Sequence, residues 1–67
     1  MKINEIIRAR GMTKSEIAVM AKIPQNDFYQ CTNGKKSFFP SWRKRVANVL
    51  QMPEDEVFPE YIKKEID

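Results

Sequence analysis

Apolar residues recur at helical spacing from the start of the chain. Ile3, Ile6 and Ile7 occupy positions i, i+3 and i+4, so a helix places all three side chains on one face. Gly11 follows soon after them, and glycine commonly ends a helix because it accepts a left-handed backbone. We predict a first amphipathic helix that ends at Gly11.

The four residues from Thr13 to Glu16 have the sequence of a capping box. In this motif the threonine hydroxyl accepts a hydrogen bond from the glutamate amide, while the glutamate side chain reaches back to the threonine amide. A second, short helix is therefore predicted from Thr13 to about Lys22. We expect its buried side to consist of Ile17, Ala18, Met20 and Ala21.

Ile23 and Pro24 predict a break, because a residue before proline is disfavoured in the helical region whereas proline itself fits the first turn of a helix. A third helix is predicted from about Pro24 to Cys31. At about 100° per residue, Phe28 and Cys31 lie on one side of this helix. The outward side is polar and, apart from Asp27 near its margin, uncharged: it carries Asn26, Tyr29 and Gln30, with Gln25 at the amino end.

A turn and a fourth helix are predicted next. Asn33-Gly34 is a strong turn signal, and residues 35–37 continue it as a basic loop. Ser41 is expected to cap the fourth helix, since a serine oxygen can accept from a free amide of the first turn. Helical spacing then gives this helix an apolar side made of Trp42, Val46, Val49 and Leu50.

Two prolines delimit a last helical turn. Pro53 ends the fourth helix and opens a turn over 54–58, whose acidic first residues suit the positive end of a helix dipole, and Pro59 ends it. Phe38 and Phe39 precede the fourth helix, and their role stays open between additional core and an exposed contact.

These elements predict an all-α fold of five short helices that contains a helix-turn-helix. Sixty-seven residues allow one small domain, predicted over residues 1–59, with an acidic and amphipathic tail over 60–67 that carries Tyr61, Ile62 and Ile66. The chain has no histidine, and Cys31 is its single cysteine, expected in the core. This composition excludes zinc-finger ligand sets and histidine-based catalysis, so we expect neither an enzyme nor a cofactor.

The net charge of +3 is the sum of two unlike parts. Residues 1–50 hold ten Lys or Arg against three Asp or Glu, a net of +7, whereas residues 51–67 hold two against six, a net of −4. The basic part favours a polyanionic partner. The chain has neither a run of 18 apolar residues nor a signal-peptide core, so we expect a cytoplasmic protein.

The order of these features resembles one known family. From Thr13 to Lys35 the chain is similar to the DNA-binding domain of phage repressors and Cro proteins, the XRE-like helix-turn-helix family, and the resemblance covers about residues 2–59. It rests on Gly11-Met12-Thr13, Glu16-Ile17-Ala18, Ile23, Phe28, Asn33-Gly34-Lys35 and the segment from Leu50 to Phe58. The resemblance implies a lambda-repressor-like bundle in a bacterial, phage or prophage protein, without a separate effector domain.

The sequence departs from the family in its turn and in one buried pair. Family members usually have glycine where this chain has Lys22, so a left-handed backbone there would be strained unless the turn differs. Many relatives pair a glutamate before the Asn-Gly exit with an arginine in the first helix. This chain has Thr32 and Ile7 instead, and because both partners are absent together, no unpaired buried charge results.

Short amides on the third helix predict base contacts in a DNA major groove. Gln and Asn can bond both N6 and N7 of adenine, and the resemblance matches Gln25, Asn26 and Gln30 to the family's main base contacts. Tyr29 and Asp27 are secondary candidates, the phenol for a phosphate or a thymine methyl and the carboxylate for cytosine N4. The alternative interpretation of these residues is solvated surface.

Phosphate contacts are expected beside this helix, because they set register and supply most of the salt-dependent affinity. The resemblance matches Lys14, Asn33, Lys35 and Lys36 to family positions. Arg43 is also predicted to contact phosphate, with Lys44 and Arg45 adding to the field, although a solubilising helix face explains that basic run equally well.

The sequence therefore predicts a sequence-specific, double-stranded DNA-binding regulator of Cro or repressor type. A near-palindromic operator and a homodimer on DNA are expected, with Val57, Phe58, Tyr61 and Ile62 available for the dimer contact. The alternative is a helix-turn-helix scaffold used as a protein-interaction module, such as an antitoxin or antirepressor, in which the acidic tail and Phe38-Phe39 would carry the function. Neither hypothesis includes a metal, a membrane or a small-molecule ligand.

Overall fold

The computed structural model describes residues 1–61, which form five helices and no strand in that range. The predicted all-α fold is confirmed. Ile62 and Ile66, which were assigned to the tail, lie outside the described residues. The helices are α1 (Lys2–Ala9), α2 (Lys14–Ala21), α3 (Gln25–Thr32), α4 (Pro40–Leu50) and α5 (Glu54–Val57).

The start of α2 follows from local sequence. The Thr13 Oγ1 atom accepts from the Glu16 amide at 3.1 Å, and Glu16 Oε1 accepts from the Thr13 amide at 2.9 Å. The capping box is therefore confirmed, and it satisfies two amides that a helix start leaves without partners. Gly11, at φ +68°, makes the left-handed turn that separates α1 from α2.

The turn between α2 and α3 keeps a left-handed backbone at Lys22, with φ 59° and ψ 47°. A residue that has a β-carbon is strained by about 1 kcal/mol or more in this backbone region. Arg45 of α4 donates from Nη1 to the Lys22 carbonyl oxygen at 3.1 Å and so contributes a tertiary bond at the strained residue. Lys22 therefore adopts the left-handed backbone although it is not a glycine.

The core joins the aliphatic faces of α1, α2 and α4 to a group of aromatic rings. Phe38 lies among these rings, with centroids 5.7 Å from Phe28, 4.8 Å from Phe58 and 6.1 Å from Tyr61. Phe38 is therefore core, whereas Phe39 is 57% exposed and packs edge-on against Trp42 at 4.6 Å. Of the two roles that the sequence left open, additional core therefore applies to Phe38 and an exposed contact to Phe39.

Two helix assignments made from the sequence are wrong. Met20 is 55% exposed rather than buried, because the buried side of α2 is centred on Ile17, Ala18 and Ala21 and Met20 lies roughly 100° away from it. Ser41 does not cap α4. That helix begins at Pro40, which occupies its first position, and Phe39 precedes it without a side-chain capping bond.

The end of the described chain packs into the fold. Val57 and Phe58 are fully buried, so the expectation that they are available to a partner is wrong. The Tyr61 hydroxyl accepts from the Phe38 amide at 3.1 Å, and Glu60 Oε2 accepts from the Lys2 amide at 2.7 Å. Residues 60 and 61 therefore contact the helical body, while the rest of the predicted tail falls outside the described residues.

Thr32 and Ile7 are both buried, and neither places a charge in the core. The Thr32 hydroxyl donates to the Tyr29 carbonyl at 3.0 Å, and the Thr32 carbonyl accepts from Asn4 Nδ2 at 3.1 Å. The Asn4 Oδ1 atom is buried and has no hydrogen-bond partner in the part of the chain that the structure describes. One hydrogen bond, from Asn4 to Thr32, thus joins α1 to α3.

An arginine at the end of α1 bonds to the carboxyl end of α4. Arg10 donates from Nη2 to the Leu50 carbonyl at 2.7 Å, across 40 positions of sequence, where α4 ends. Helix ends leave carbonyls without intrahelical partners, and a guanidinium satisfies one with a charge-assisted bond. Gln51, at φ 56°, then turns the chain away from α4.

Candidate nucleic-acid interface

Helix α3 has one buried and one exposed side. Phe28 and Cys31 are fully buried and Thr32 nearly so, which fixes the rotation of the helix about its axis. The opposite side consequently faces solvent. It carries Gln25, Asn26 and Tyr29, which are exposed, and Gln30, which is half-buried.

The amino end of α2 contacts this exposed side. Ser15 Oγ donates to Gln25 Oε1 at 3.2 Å and lies 3.0 Å from the Tyr29 hydroxyl. The Lys14 ammonium lies 5.7 Å from the centre of the Tyr29 ring, within cation–π range. Sequence reasoning missed Ser15, because spacing along one helix does not show which residue of another helix it meets.

Asp27 forms an ion pair with Lys36, Oδ1 to Nζ, at 2.9 Å. The aspartate side chain is 29% exposed and the lysine side chain 49%, so water screens the pair and its contribution to stability is at most about 1 kcal/mol. Each charge is nonetheless offset by the other. This pair occupies both a predicted base contact and a predicted phosphate contact.

Lys35 and Asn33 lie in the turn that leaves α3, and both are exposed. The amides of Lys35 and Lys36 donate to the Gln30 carbonyl at 2.8 and 3.2 Å, which places the turn against the carboxyl end of α3. Within residues 1–61, neither Lys14 nor Lys35 has a carboxylate within ion-pair distance. Two unpaired cations therefore flank the exposed side of the helix.

Arg43 is the one predicted phosphate contact whose side chain is held inside the fold. Its Nε donates to Glu54 Oε2 at 3.0 Å, its Nη1 donates to the Phe38 carbonyl at 2.9 Å, and its guanidinium lies 4.8 Å from the Tyr61 ring centre. The side chain is only 16% exposed. This geometry leaves Arg43 out of the candidate interface, in contrast to the sequence-based assignment.

Lys44 and Arg45 of the same basic run are exposed. The Arg45 guanidinium donates to the Lys22 carbonyl, while Lys44 has no side-chain hydrogen bond to any of residues 1–61. The three consecutive basic side chains of α4 thus occupy three different environments. A helix turns about 100° per residue, so adjacent side chains point in different directions.

Cys31 is a core residue, as predicted. Burial raises the pKa of its thiol, the nearby Lys36 lowers it, and Asp27 raises it further, with a net upward shift. The sulfur also lies 3.6 Å from the Ser37 carbonyl oxygen, to which the thiol donates. Burial and the raised pKa therefore disfavour the reactive thiolate at neutral pH.

Neither a metal site nor a membrane span emerges from residues 1–61. No three histidine, cysteine, aspartate or glutamate side chains of this range group as metal ligands. No helix within it has both the length and the apolar character needed to cross a bilayer.

Comparisons with known proteins leave the family resemblance a prediction. No family model, curated protein or solved structure matches this chain.

Proposed function

We propose that this protein is a sequence-specific, double-stranded DNA-binding transcriptional regulator of the Cro or repressor type. Helix α3 enters the major groove and α2 crosses the DNA backbone, as in other helix-turn-helix proteins. The observation that carries the proposal is the exposed, uncharged polar side of α3 between two cations, Lys14 and Lys35, that have no carboxylate partner among residues 1–61.

The side chains of α3 suit base recognition. Gln25, Asn26 and Gln30 present amides, each able to bond N6 and N7 of one adenine. Asp27 contributes less than these amides, because its carboxylate is paired with Lys36. Tyr29 Oη already contacts Ser15, so its ring edge is the part that remains for a thymine methyl or the sugar-phosphate chain.

Phosphate contacts follow from the placement of cations and amides around α3. Lys14 lies at the amino end of α2 and Lys35 beyond the carboxyl end of α3, so they extend the contact to both sides of the groove. Asn33 adds an uncharged donor next to Lys35. Lys36 is a secondary phosphate contact, since the Asp27 carboxylate competes for its ammonium.

The size of α3 favours binding as a homodimer. Eight residues span about 12 Å, which covers only three or four base pairs. So short a site recurs too often in a genome to specify one operator, whereas two copies on a near-palindromic site double the number of base pairs contacted. Val57 and Phe58 are core, so the dimer contact must involve other residues.

Selection of duplexes from a random pool tests the proposal. We expect enrichment of a near-palindromic site with half-sites about one helical turn, or a multiple of it, apart. Gln25→Ala is then expected to erase preference at particular base pairs, with a loss of about 1–3 kcal/mol for each bidentate contact. No affinity for any duplex at low salt, where phosphate contacts are strongest, would refute DNA binding.

A second candidate, a protein-interaction module, is favoured by one observation. Val19 and Met20 of α2 are 62% and 55% exposed, and they line a groove of about 560 Å³ with Gly11 and Met12. Exposed apolar residues that cluster mark interaction surfaces more often than isolated ones do. This candidate would be favoured if the protein bound no duplex and if Met20→Lys abolished its binding to a protein partner.

A further inference from the structure

Ser15 connects two predicted base-contacting residues across the junction of α2 and α3. Its Oγ atom lies 3.2 Å from Gln25 Oε1 and 3.0 Å from Tyr29 Oη. Gln25 and Tyr29 are four positions apart, so they lie on the same side of α3, and Ser15 reaches both from the neighbouring helix. No other side chain of the described residues bonds to Gln25.

The hydrogen atoms available fix the direction of this chain of hydrogen bonds. A serine hydroxyl has one hydrogen, and Ser15 donates it to Gln25 Oε1. Ser15 can then only accept from Tyr29, so the tyrosine hydroxyl is the donor in the second bond. The Gln25 side chain is left with both Nε2 hydrogens and one lone pair of Oε1 unused, and all of these are available to a ligand.

We propose that Ser15 is a positioning residue that sets the orientation of the Gln25 amide for base recognition. The inference rests on the proposed function, because it concerns the same α3 surface. A glutamine amide that is free to flip presents donor and acceptor in either order, and adenine requires Nε2 toward N7 and Oε1 toward N6. The bond from Ser15 selects one of the two orders before DNA arrives.

Tyr29 strengthens this selection. Tyr29 donates into one of the two lone pairs of Ser15 Oγ, so a flipped amide could donate only into the other, and the serine hydrogen would then be left to water. Loss of the tyrosine hydroxyl frees that lone pair, so Ser15 can accept from Gln25 in more than one direction. Lys14, 5.7 Å from the ring centre, helps to hold the ring in place.

Three substitutions separate this role from a general effect on folding. Ser15→Ala removes both bonds, Ser15→Thr keeps the hydroxyl, and Tyr29→Phe removes only the second bond. Ser41→Ala is the matched control, because Ser41 is also the second residue of a helix and its hydroxyl makes no hydrogen bond within the described residues. Alanine favours helix, so Ser15→Ala should not lower Tm.

The first measurement needs no DNA. In the free protein, ¹⁵N relaxation of the Gln25 side-chain amide should give a higher order parameter than that of Gln51, which is exposed and has no side-chain bond in residues 1–61. Ser15→Ala should reduce the Gln25 value to that of Gln51, while Ser15→Thr and Ser41→Ala leave it unchanged. Equal order parameters in the wild-type protein would overturn the proposal.

The second measurement uses the duplex that wild-type protein selects and its single base-pair variants. At the base pair where Gln25→Ala loses preference, Ser15→Ala should lose roughly 3- to 10-fold in preference, the equivalent of one net hydrogen bond. Tyr29→Phe should lose less, and Ser15→Thr and Ser41→Ala should match wild type. Unchanged preference in Ser15→Ala, or an equal loss on all duplexes, would overturn the proposal.

The two proposals fail in different ways. If wild-type protein binds no duplex, the proposed function is refuted, and the role of Ser15 in recognition falls with it whatever the relaxation data show. If wild-type protein selects a duplex and Gln25→Ala changes its preference but Ser15→Ala does not, DNA recognition stands and only the positioning role is refuted.

Discussion

Arg43→Gln distinguishes a phosphate contact from a residue that holds the fold together. Glutamine removes the charge and the guanidinium while keeping a polar side chain. In the structure Arg43 bonds Glu54 at 3.0 Å and the Phe38 carbonyl at 2.9 Å, and it lies over the Tyr61 ring. The substitution therefore removes three contacts, which join α4 to α5, to the segment before α4 and to Tyr61.

The size of the effect follows from these contacts. A hydrogen bond to a charged group contributes about 1.5–3 kcal/mol when buried, and a cation–π contact adds about 0.5–1 kcal/mol. Glu54 is 23% exposed, so water screens part of this and the contributions do not add fully. We expect a loss of roughly 2–3 kcal/mol out of a total near 3–10 kcal/mol for a domain of this size.

Thermal denaturation monitored by circular dichroism measures the loss of unfolding free energy. The loss corresponds to a Tm lower by roughly 10–20 °C in a domain of this length. Lys44→Gln is the matched control: it removes the adjacent charge, which has no bond within residues 1–61, and should leave Tm nearly unchanged. The salt dependence of duplex binding should be the same in Arg43→Gln and wild type at a temperature where both are folded. An unchanged Tm with a salt slope smaller by about 0.9 would show instead that Arg43 contacts a phosphate.

Further predictions concern the turn after α3, the strained turn and the buried thiol. Lys35→Ala should reduce the magnitude of the negative slope of log K against log salt by about 0.9 on all duplexes alike, and equal slopes in Lys35→Ala and wild type would exclude the Lys35 contact. Lys36→Ala should reduce the magnitude less, because the Asp27 carboxylate offsets that charge. Lys22→Gly should raise the free energy of unfolding by about 0.5–1 kcal/mol in urea titrations, since φ 59° costs glycine nothing, and a decrease would mean that the strain is absent. Alkylation of Cys31 at pH 8 should be roughly 100-fold slower in native than in urea-unfolded protein, because the raised pKa and burial both protect the thiol; similar rates would contradict its burial.

Local signals predicted the helices well. The isoleucine face of α1, the capping box at Thr13 and the two faces of α3 depend on residues close in sequence, and the structure confirms each. The prediction that Met20 is buried is wrong because the rotation of α2 is set by its packing against other helices. Helical spacing alone leaves that rotation uncertain by about one residue, or 100°.

The candidate interface was predicted only in part, for a related reason. Exposure of Gln25 and Asn26 follows from the burial of Phe28, which periodicity indicates. The partners of charged side chains do not follow from periodicity, because Arg43 meets Glu54 and Ser15 meets Gln25 only after helices have packed. A count of basic residues therefore assigned Arg43 to DNA although its side chain is held by the fold.

The arginines that bond to carbonyls make this small domain sensitive to substitutions that conserve charge. Arg10 reaches the Leu50 carbonyl, Arg45 the Lys22 carbonyl and Arg43 both a carbonyl and a carboxylate. Lysine supplies the same charge but lacks the planar, branched donor group that makes such bonds at fixed angles. A variant with all three positions changed to lysine would keep the same net charge at neutral pH, yet it would fold less stably. An exchange of arginine for lysine at these positions consequently lowers the stability of the fold, although it conserves the charge of the surface.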